Sequence, residues 1–192
     1  MSSNQIPNVV IASFTGDRSG SMSSMGDAPS KGLHSWIVDQ KKSVDENSQT
    51  GKMFVSTFDS DHEVRIDNEN ISDVNVTQEQ CRNWMEPRSM TKLYDSAIAD
   101  LDKLIQAKID YEKNMPRALR NLDPKIVIVW ACMTDGADNE SEATVEDFKN
   151  KVREARDVHD VKCFFLGANQ DAVMTGQRFG FSEDCSLTFG AN

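Results

Sequence analysis

Short apolar runs rich in β-branched residues alternate along the chain with segments of helical period. Most of the runs are almost continuously apolar, which is typical of strands buried on both faces. Residues 62–67 instead alternate strictly between apolar and polar, after a turn-like segment at 59–61. This pattern predicts an antiparallel edge strand that forms a hairpin with the strand before it. The predicted strands cover residues 8–14, 52–59, 62–67, 125–133, 161–166 and 185–189.

The segments between the strands carry apolar residues at helical spacing. Thr77, with Gln80 three residues later, is a capping-box signature for a short helix, and Pro116 limits the long helix that follows. Strands that alternate with helices indicate a parallel sheet with helices on both faces. We therefore expect a doubly wound α/β domain whose six-stranded sheet is mostly parallel, with one short antiparallel edge strand. The helical patterns include residues 33–44, 93–105, 148–155 and 172–179.

Length and charge narrow the class of protein. A chain of 192 residues is the size of one domain, so we expect a flexible tail at 1–7 and a single domain at 8–192. The excess of 31 acidic over 21 basic residues gives a net charge of -10, which disfavours nucleic-acid binding. No apolar run approaches a membrane span, and the N-terminus lacks a signal-peptide pattern. Four widely spaced cysteines are expected to be reduced thiols, so we predict a cytoplasmic protein.

Ligands of doubly wound sheets bind at the carboxyl ends of the strands, and three polar segments fall there or at a helix start. They are residues 17–21 after the first strand, 134–139 after the fourth, and 91–95 where the long helix begins. Their side chains offer carboxylate and hydroxyl oxygens, with no imidazole or thiolate. This chemistry suits Mg²⁺, with Mn²⁺ or Ca²⁺ as alternatives, better than zinc or copper.

The order of these segments resembles one known family. A D-x-S-x-S sequence after the first strand, a Thr at the start of the long helix and T-D-G at 134–136 resemble the von Willebrand factor type A domain. Those elements form that family's metal-ion-dependent adhesion site, and the similarity, which spans about residues 8–190, is to its stand-alone intracellular or microbial members. The resemblance implies a Rossmann-like fold and a metal held by Asp17, Ser19, Ser21, Thr91 and Asp135.

The resemblance also implies roles for these residues. Ser19, Ser21 and Thr91 would supply hydroxyls to the metal, while Asp17 and Asp135 would act largely through metal-bound waters. A Glu or Asp of a protein partner would complete the coordination, so binding rather than catalysis is expected, with no catalytic residues. The chain departs from the family at residue 90, where a methionine stands in place of a small residue.

Two other functions stay open at this point. A magnesium-dependent phosphatase or hydrolase could use an aspartate at a strand end, although Ser19 stands where a second carboxylate would be expected. The domain could also be a scaffold whose metal site is non-functional.

Several residues near the site have alternative roles. Asp138 and Asn139 are expected to cap the following helix rather than to hydrogen-bond to the site. Met22 and Met25 either line a partner-facing rim or belong to a mobile loop.

Overall fold

A computed structural model describes residues 9–121, 124–168 and 171–189 of the chain, and the expected tail at 1–7 lies outside the described residues. The described residues form six strands and six helices, with three short 3₁₀ turns between them. The strands are β1 (Val9–Asp17), β2 (Thr50–Phe58), β3 (His62–Asn70), β4 (Ile126–Thr134), β5 (Val161–Ala168) and β6 (Ser186–Phe189). The helices are α1 (Ala28–Glu46), α2 (Gln78–Trp84), α3 (Leu93–Asn114), α4 (Arg117–Arg120), α5 (Val145–Asp157) and α6 (Ala172–Arg178).

The strands form one sheet in the order β3-β2-β1-β4-β5-β6. Neighbouring strands are parallel except β2 and β3, which are antiparallel, so the predicted fold class is confirmed. The edge strand is nine residues long, not the six expected, because β3 stays paired with β2 as far as Asn70. The three additional residues, 68–70, are polar and exposed, so hydrophobic alternation could not reveal them.

Each face of the sheet has its own apolar core. Helices α3, α5 and α6 pack on one face, around the fully buried Trp130 and Phe148. Helices α1 and α2 pack on the other face, where they cover Phe14 and Met53. The side chains of β1 alternate between the two cores, as expected for a central strand covered on both sides.

Strand β1 continues three residues beyond its predicted end, to Asp17, and its polar end is entirely buried. The hydroxyl of Thr15 accepts a hydrogen bond from the Trp130 indole N–H at 2.8 Å and donates one to Asp100 Oδ2 at 2.6 Å. Ser56 also donates to Asp100, and His62 Nε2 lies 2.9 Å from Asp100 Oδ1. This buried polar network joins β1, β2 and β3 to α3, and it explains how a polar strand end is accommodated in the core.

Local signals set several helix starts. The Thr77–Gln80 capping box is present as predicted, and a second one, Thr144 with Asp147, begins α5.

All four cysteines are unpaired thiols, as expected. Within the described part of the chain, no helix is both long and apolar enough to cross a membrane.

Candidate metal centre

The carboxyl ends of β1 and β4 meet at the middle of the sheet. Asp17 is the last residue of β1, and Asp135 directly follows the last residue of β4, Thr134. The two strands are neighbours, and the strand order reverses between them. Such a reversal opens a crevice in doubly wound sheets, so the two aspartates predicted from the sequence lie where this fold binds ligands.

Asp17 is a fully buried carboxylate. Its Oδ1 accepts the main-chain N–H of Ser19 at 2.8 Å, and its Oδ2 accepts the hydroxyl of Thr134 at 2.6 Å. Burial, with a smaller contribution from the negative charge of Asp135, raises the pKa of Asp17 to about 6 despite these hydrogen bonds. Among the described residues, no lysine, arginine or histidine forms an ion pair with Asp17. Its negative charge is therefore buried without a cation beside it.

The two serines of the D-x-S-x-S segment place their hydroxyls together. Ser19 Oγ and Ser21 Oγ lie 3.0 Å apart. Ser19 is buried and Ser21 is exposed, so this pair leads from the buried Asp17 to the surface. The loop is held to the segment before α3, since Gly20 N–H donates to the Ser89 carbonyl at 3.1 Å.

Thr91 is buried just before α3 and is bound to the loop that follows β4. Its N–H donates to Asn139 Oδ1 at 2.8 Å, and its carbonyl accepts the N–H groups of Asn139 and Glu140 at 3.0 and 3.2 Å. Asp138 Oδ1 accepts the N–H of Tyr94 in the first turn of α3, at 3.3 Å.

The expectation that Asp138 and Asn139 cap the following helix is therefore wrong. That helix, α5, begins with the Thr144 cap, while the two residues hydrogen-bond to the start of α3. The sequence could not distinguish these roles, because the partner segment lies more than 40 residues away. All three loops of the predicted site are thus joined by hydrogen bonds.

A cluster of charged residues beside the site was not anticipated. The guanidinium of Arg18, 5% exposed, lies with its Nε 3.0 Å from Asp59 Oδ2 and also pairs with Glu63. Arg88 contacts the same two carboxylates, and its Nε lies 2.5 Å from Asp59 Oδ2. Burial opposes ionisation of Asp59, but hydrogen bonds from Asp61 and Arg88 and the positive charges of the two arginines lower its pKa below its usual value. The cluster joins two segments, the one after β1 that contains Arg18 and the one before α3 that contains Arg88, to the hairpin formed by β2 and β3.

Three methionines close to the site differ in exposure. Met22 and Met25 are buried in the core that α1 covers, so they do not form the expected exposed rim. Met90, beside Thr91, is 48% exposed. The methionine that departs from the family pattern therefore lies on the surface next to the site.

The donor set fits a hard divalent cation. Three hydroxyls and two carboxylates are oxygen ligands of the kind that Mg²⁺, Mn²⁺ and Ca²⁺ accept. A cation would also compensate the buried charge of Asp17 and its repulsion with Asp135. Within the described residues, no group of three or more histidines, cysteines, aspartates or glutamates is placed to hold a metal, so a thiolate or imidazole centre is not indicated.

No family model and no curated protein matches the sequence, whereas solved structures do. The pilus adhesin SpaC from Lactobacillus rhamnosus GG aligns over 98% of this chain and 29% of its own, with 12% identity and a TM-score of 0.59. Proximal thread matrix protein 1 from the mussel byssus aligns over 95% of this chain and 42% of its own, with 14% identity and a TM-score of 0.55.

A von Willebrand factor type A protein from Catenulispora acidiphila aligns over 95% of this chain and 37% of its own, with 13% identity and a TM-score of 0.52. This chain therefore spans less than half the length of each of these proteins. The mussel protein has also been solved with a zinc-occupied metal-ion-dependent adhesion site. At these identities the similarity is one of fold alone. The chain has the fold of the von Willebrand factor type A domain.

Proposed function

We propose that this protein is a metal-dependent protein-binding module that captures a carboxylate of a partner protein. The residues that would hold the cation are Asp17, Ser19, Ser21, Thr91 and Asp135. The observation that carries the proposal is the fully buried Asp17, which has no cationic partner among the described residues and lies beside a pair of serine hydroxyls at the switch point of the sheet. Mg²⁺ is the proposed metal, with Mn²⁺ and Ca²⁺ as alternatives, and the zinc-occupied site of the mussel protein supports a divalent cation in this fold.

An open coordination position explains how such a site would bind an acidic partner. Two carboxylates neutralise a divalent cation, and the hydroxyls add ligands without adding charge. Five side chains would not fill the six positions of an octahedral site, so an Asp or Glu of a partner could supply a further oxygen. The metal would supply a directional charge-assisted contact, and the surrounding loops would supply the rest of the interface.

One group of residues resembles a serine hydrolase triad in composition but is not arranged as one. Ser56, His62 and Asp100 lie together, but the Ser56 hydroxyl donates to the carboxylate and not to the imidazole. Ser56 is also buried, so this group lacks the exposed nucleophile and adjacent base of a hydrolase.

The unpaired thiols support a further proposal, that the protein works in a reducing compartment such as the cytoplasm.

Titration of Mg²⁺ into the full chain tests the proposal. A ligand that binds only the folded state at 100 times its Kd stabilises it by about 2.7 kcal/mol, so the melting temperature should rise with Mg²⁺ and fall back with EDTA. Ser21→Ala should abolish this rise, whereas the matched control Ser24→Ala, in the same 3₁₀ turn, should retain it. An identical response from the two variants would contradict the assigned ligand set.

A second measurement separates binding from a scaffold role. Full chain immobilised in Mg²⁺ should retain aspartate-containing peptides and release them in EDTA. Stabilisation by Mg²⁺ without any metal-dependent peptide retention would favour the scaffold, and phosphate-ester hydrolysis lost in Asp17→Ala would favour an enzyme.

A further inference from the structure

The end of the sheet away from the candidate metal centre carries a cavity, which we call the α3 cavity. It has a volume of about 420 Å³ and lies between α3 and strands β1, β2 and β3. Ile11 and Lys52 line it, and each is the third residue of its strand. Asp17 follows Ile11 by six residues along β1, so the cavity lies about 20 Å from the metal centre. The α3 cavity is therefore separate from the site already described.

The floor of the α3 cavity is apolar. Ile11 and Phe54 lie there with buried side chains. Leu101 and Leu104 of α3 are fully buried in the same core, whereas Ala107, in the next turn, is half-buried and presents a single methyl group to the cavity. The volume lies in the range of about 300–1,000 Å³ typical of binding sites, so the cavity has room for a large apolar side chain.

Four charged side chains line the α3 cavity, and two of them pair with each other. Lys103 Nζ lies 2.7 Å from Asp67 Oδ1, and it also lies 5.6 Å from the centre of the Phe54 ring. Asp110 is exposed and accepts a hydrogen bond from the Gln106 amide at 2.9 Å. These three charges already have partners or full access to water.

The fourth charged residue, Lys52, is half-buried and has no such partner. Its Nζ makes one long hydrogen bond, of 3.4 Å, to the Asn68 carbonyl. Within the described part of the chain, no carboxylate forms an ion pair with it. Partial burial removes water from an ammonium group, and a charge-assisted contact with an anion replaces that water best. Lys52 therefore favours an anionic ligand in the α3 cavity.

The chain that closes one end of the cavity is basic. Residues 114–116 belong to the lining. They lie within residues 113–121, which we call the basic segment because it contains three cations and no acidic residue in a chain of net charge -10. Lys113 and Arg117 of this segment are exposed, and neither forms an ion pair with any of the described residues.

Arg120 holds the basic segment in place. Its Nη2 donates to the Met115 carbonyl at 2.9 Å and to the Lys113 carbonyl at 3.3 Å, so α4 folds back against the end of α3. Lys113 and Arg117 are the direct chain neighbours of the lining residues 114–116. The two unpaired cations therefore lie beside the mouth of the α3 cavity.

We propose that the α3 cavity and the basic segment together bind an acidic peptide of a protein partner. A large apolar side chain of the peptide occupies the cavity, and its acidic residues contact Lys52, Lys113 and Arg117. Charge complementarity selects this occupant, because the rest of the chain is strongly acidic. An extended peptide reaches all three cations, whereas a small anion inside the cavity reaches only Lys52. This site uses no metal, so it is independent of the proposed function.

The test selects a displayed library of random peptides on the full chain in EDTA, which removes any contribution of a metal. Enriched peptides should carry Trp, Phe or Leu flanked by Asp or Glu. The Kd of the best peptide, measured by fluorescence polarisation, should rise with the NaCl concentration because salt screens the exposed charges.

Three substitutions and a matched control locate the peptide. Ala107→Leu fills the cavity with another good helix former and should raise the Kd at least about 10-fold. Lys52→Gln removes the half-buried charge and should raise the Kd about 10-fold, whereas Arg117→Gln, at an exposed charge, should raise it about 2- to 5-fold. The control Lys42→Gln makes the same charge change at a residue 67% exposed on α1, on the other face, and should leave the Kd unchanged.

Several results would overturn the proposal. One is a library that yields no acidic peptide, and another is a Kd unchanged in Ala107→Leu and Lys52→Gln. If Ala107→Leu lowers the melting temperature, Lys52→Gln alone decides. An equal loss of affinity in Lys42→Gln would show general attraction to lysines rather than a site.

Two other occupants would also overturn it. Concentration-dependent dimers that are lost in Ala107→Leu would assign the α3 cavity to a second copy of this chain. Binding to phosphatidylserine vesicles that is lost in Lys52→Gln, without enrichment of any peptide, would assign the surface to a membrane.

Discussion

The substitution Asp17→Asn tests the cost of keeping a carboxylate buried for a metal. Burial raises the pKa of Asp17 from 3.8 to about 6 in the metal-free protein. At 1.36 kcal/mol for each pKa unit, the ionised side chain destabilises the fold by about 3 kcal/mol. An asparagine has nearly the same shape and carries no charge. Its carbonyl can still accept the Ser19 N–H, and its amide can donate to the Thr134 hydroxyl. We therefore expect Asp17→Asn to stabilise the metal-free protein by up to about 3 kcal/mol at neutral pH.

The destabilisation caused by ionised Asp17 depends on pH. Below about pH 4 the carboxyl is protonated in both the folded and unfolded states, so the penalty is absent. The penalty grows as the pH rises from 4 towards 6 and is constant above that. Urea unfolding in EDTA at pH 4 and pH 7.5, followed by tryptophan fluorescence, would measure it. With Mg²⁺ the order should reverse, because only the unsubstituted protein gains stability from the metal.

A matched control is Asp39→Asn, which removes an exposed carboxylate and should change stability by less than about 0.5 kcal/mol. Metal-free Asp17→Asn protein that is no more stable than the unsubstituted protein at pH 7.5 would refute the reasoning, because Asp17 would then carry no burial penalty for a cation to relieve.

Three further substitutions have expected outcomes. Asn139→Ala removes the acceptor of the Thr91 N–H and should raise the Kd for Mg²⁺ about 10-fold by calorimetry, and an unchanged Kd would show that the hydrogen bond does not position Thr91. The hydrogen bond that protonated His62 donates to Asp100 raises the pKa of His62 above 6.5, so the stabilisation that this contact gives is complete below pH 6.5 and is lost as the pH rises through the higher folded pKa. His62→Gln should flatten that decline in urea unfolding between pH 6 and 8, and a decline of the same slope would assign it to another group. Thr144→Ala removes the cap of α5 and should cost about 1 kcal/mol of stability while leaving Mg²⁺ affinity unchanged, and a weaker Mg²⁺ affinity would mean that α5 contributes to the site.

The sequence predicted the fold well because its signals are local. Alternation and apolar runs identified six strands, and the Thr77 capping box marked a helix start. The end of β3 escaped prediction because its pairing with β2 continues through polar residues. Such pairing depends on main-chain hydrogen bonds, which side-chain periodicity does not report.

The residues of the candidate site could be predicted from the sequence, but the hydrogen bonds and ion pairs around them could not. Asp17 and Asp135 follow strands, so a switch-point argument places them together. The partners of Asp100 are 38 to 85 residues away, and nothing local in the sequence identifies that carboxylate as the centre of a buried network. The ion pairs of Arg18 with Asp59 and Glu63 are equally distant in sequence. Contacts of this kind depend on how the elements pack, so they appear only with the structure.

A crystal structure of the full chain soaked in Mn²⁺ would test the central claim most directly, because the anomalous signal locates the metal. We predict one peak at the carboxyl ends of β1 and β4, with the oxygens of Ser19, Ser21 and Thr91 about 2.0–2.2 Å from the metal in octahedral geometry. Asp17 and Asp135 should contact it directly or through bound water. A fully soaked crystal with no peak there, or with a peak ligated elsewhere, would contradict the account.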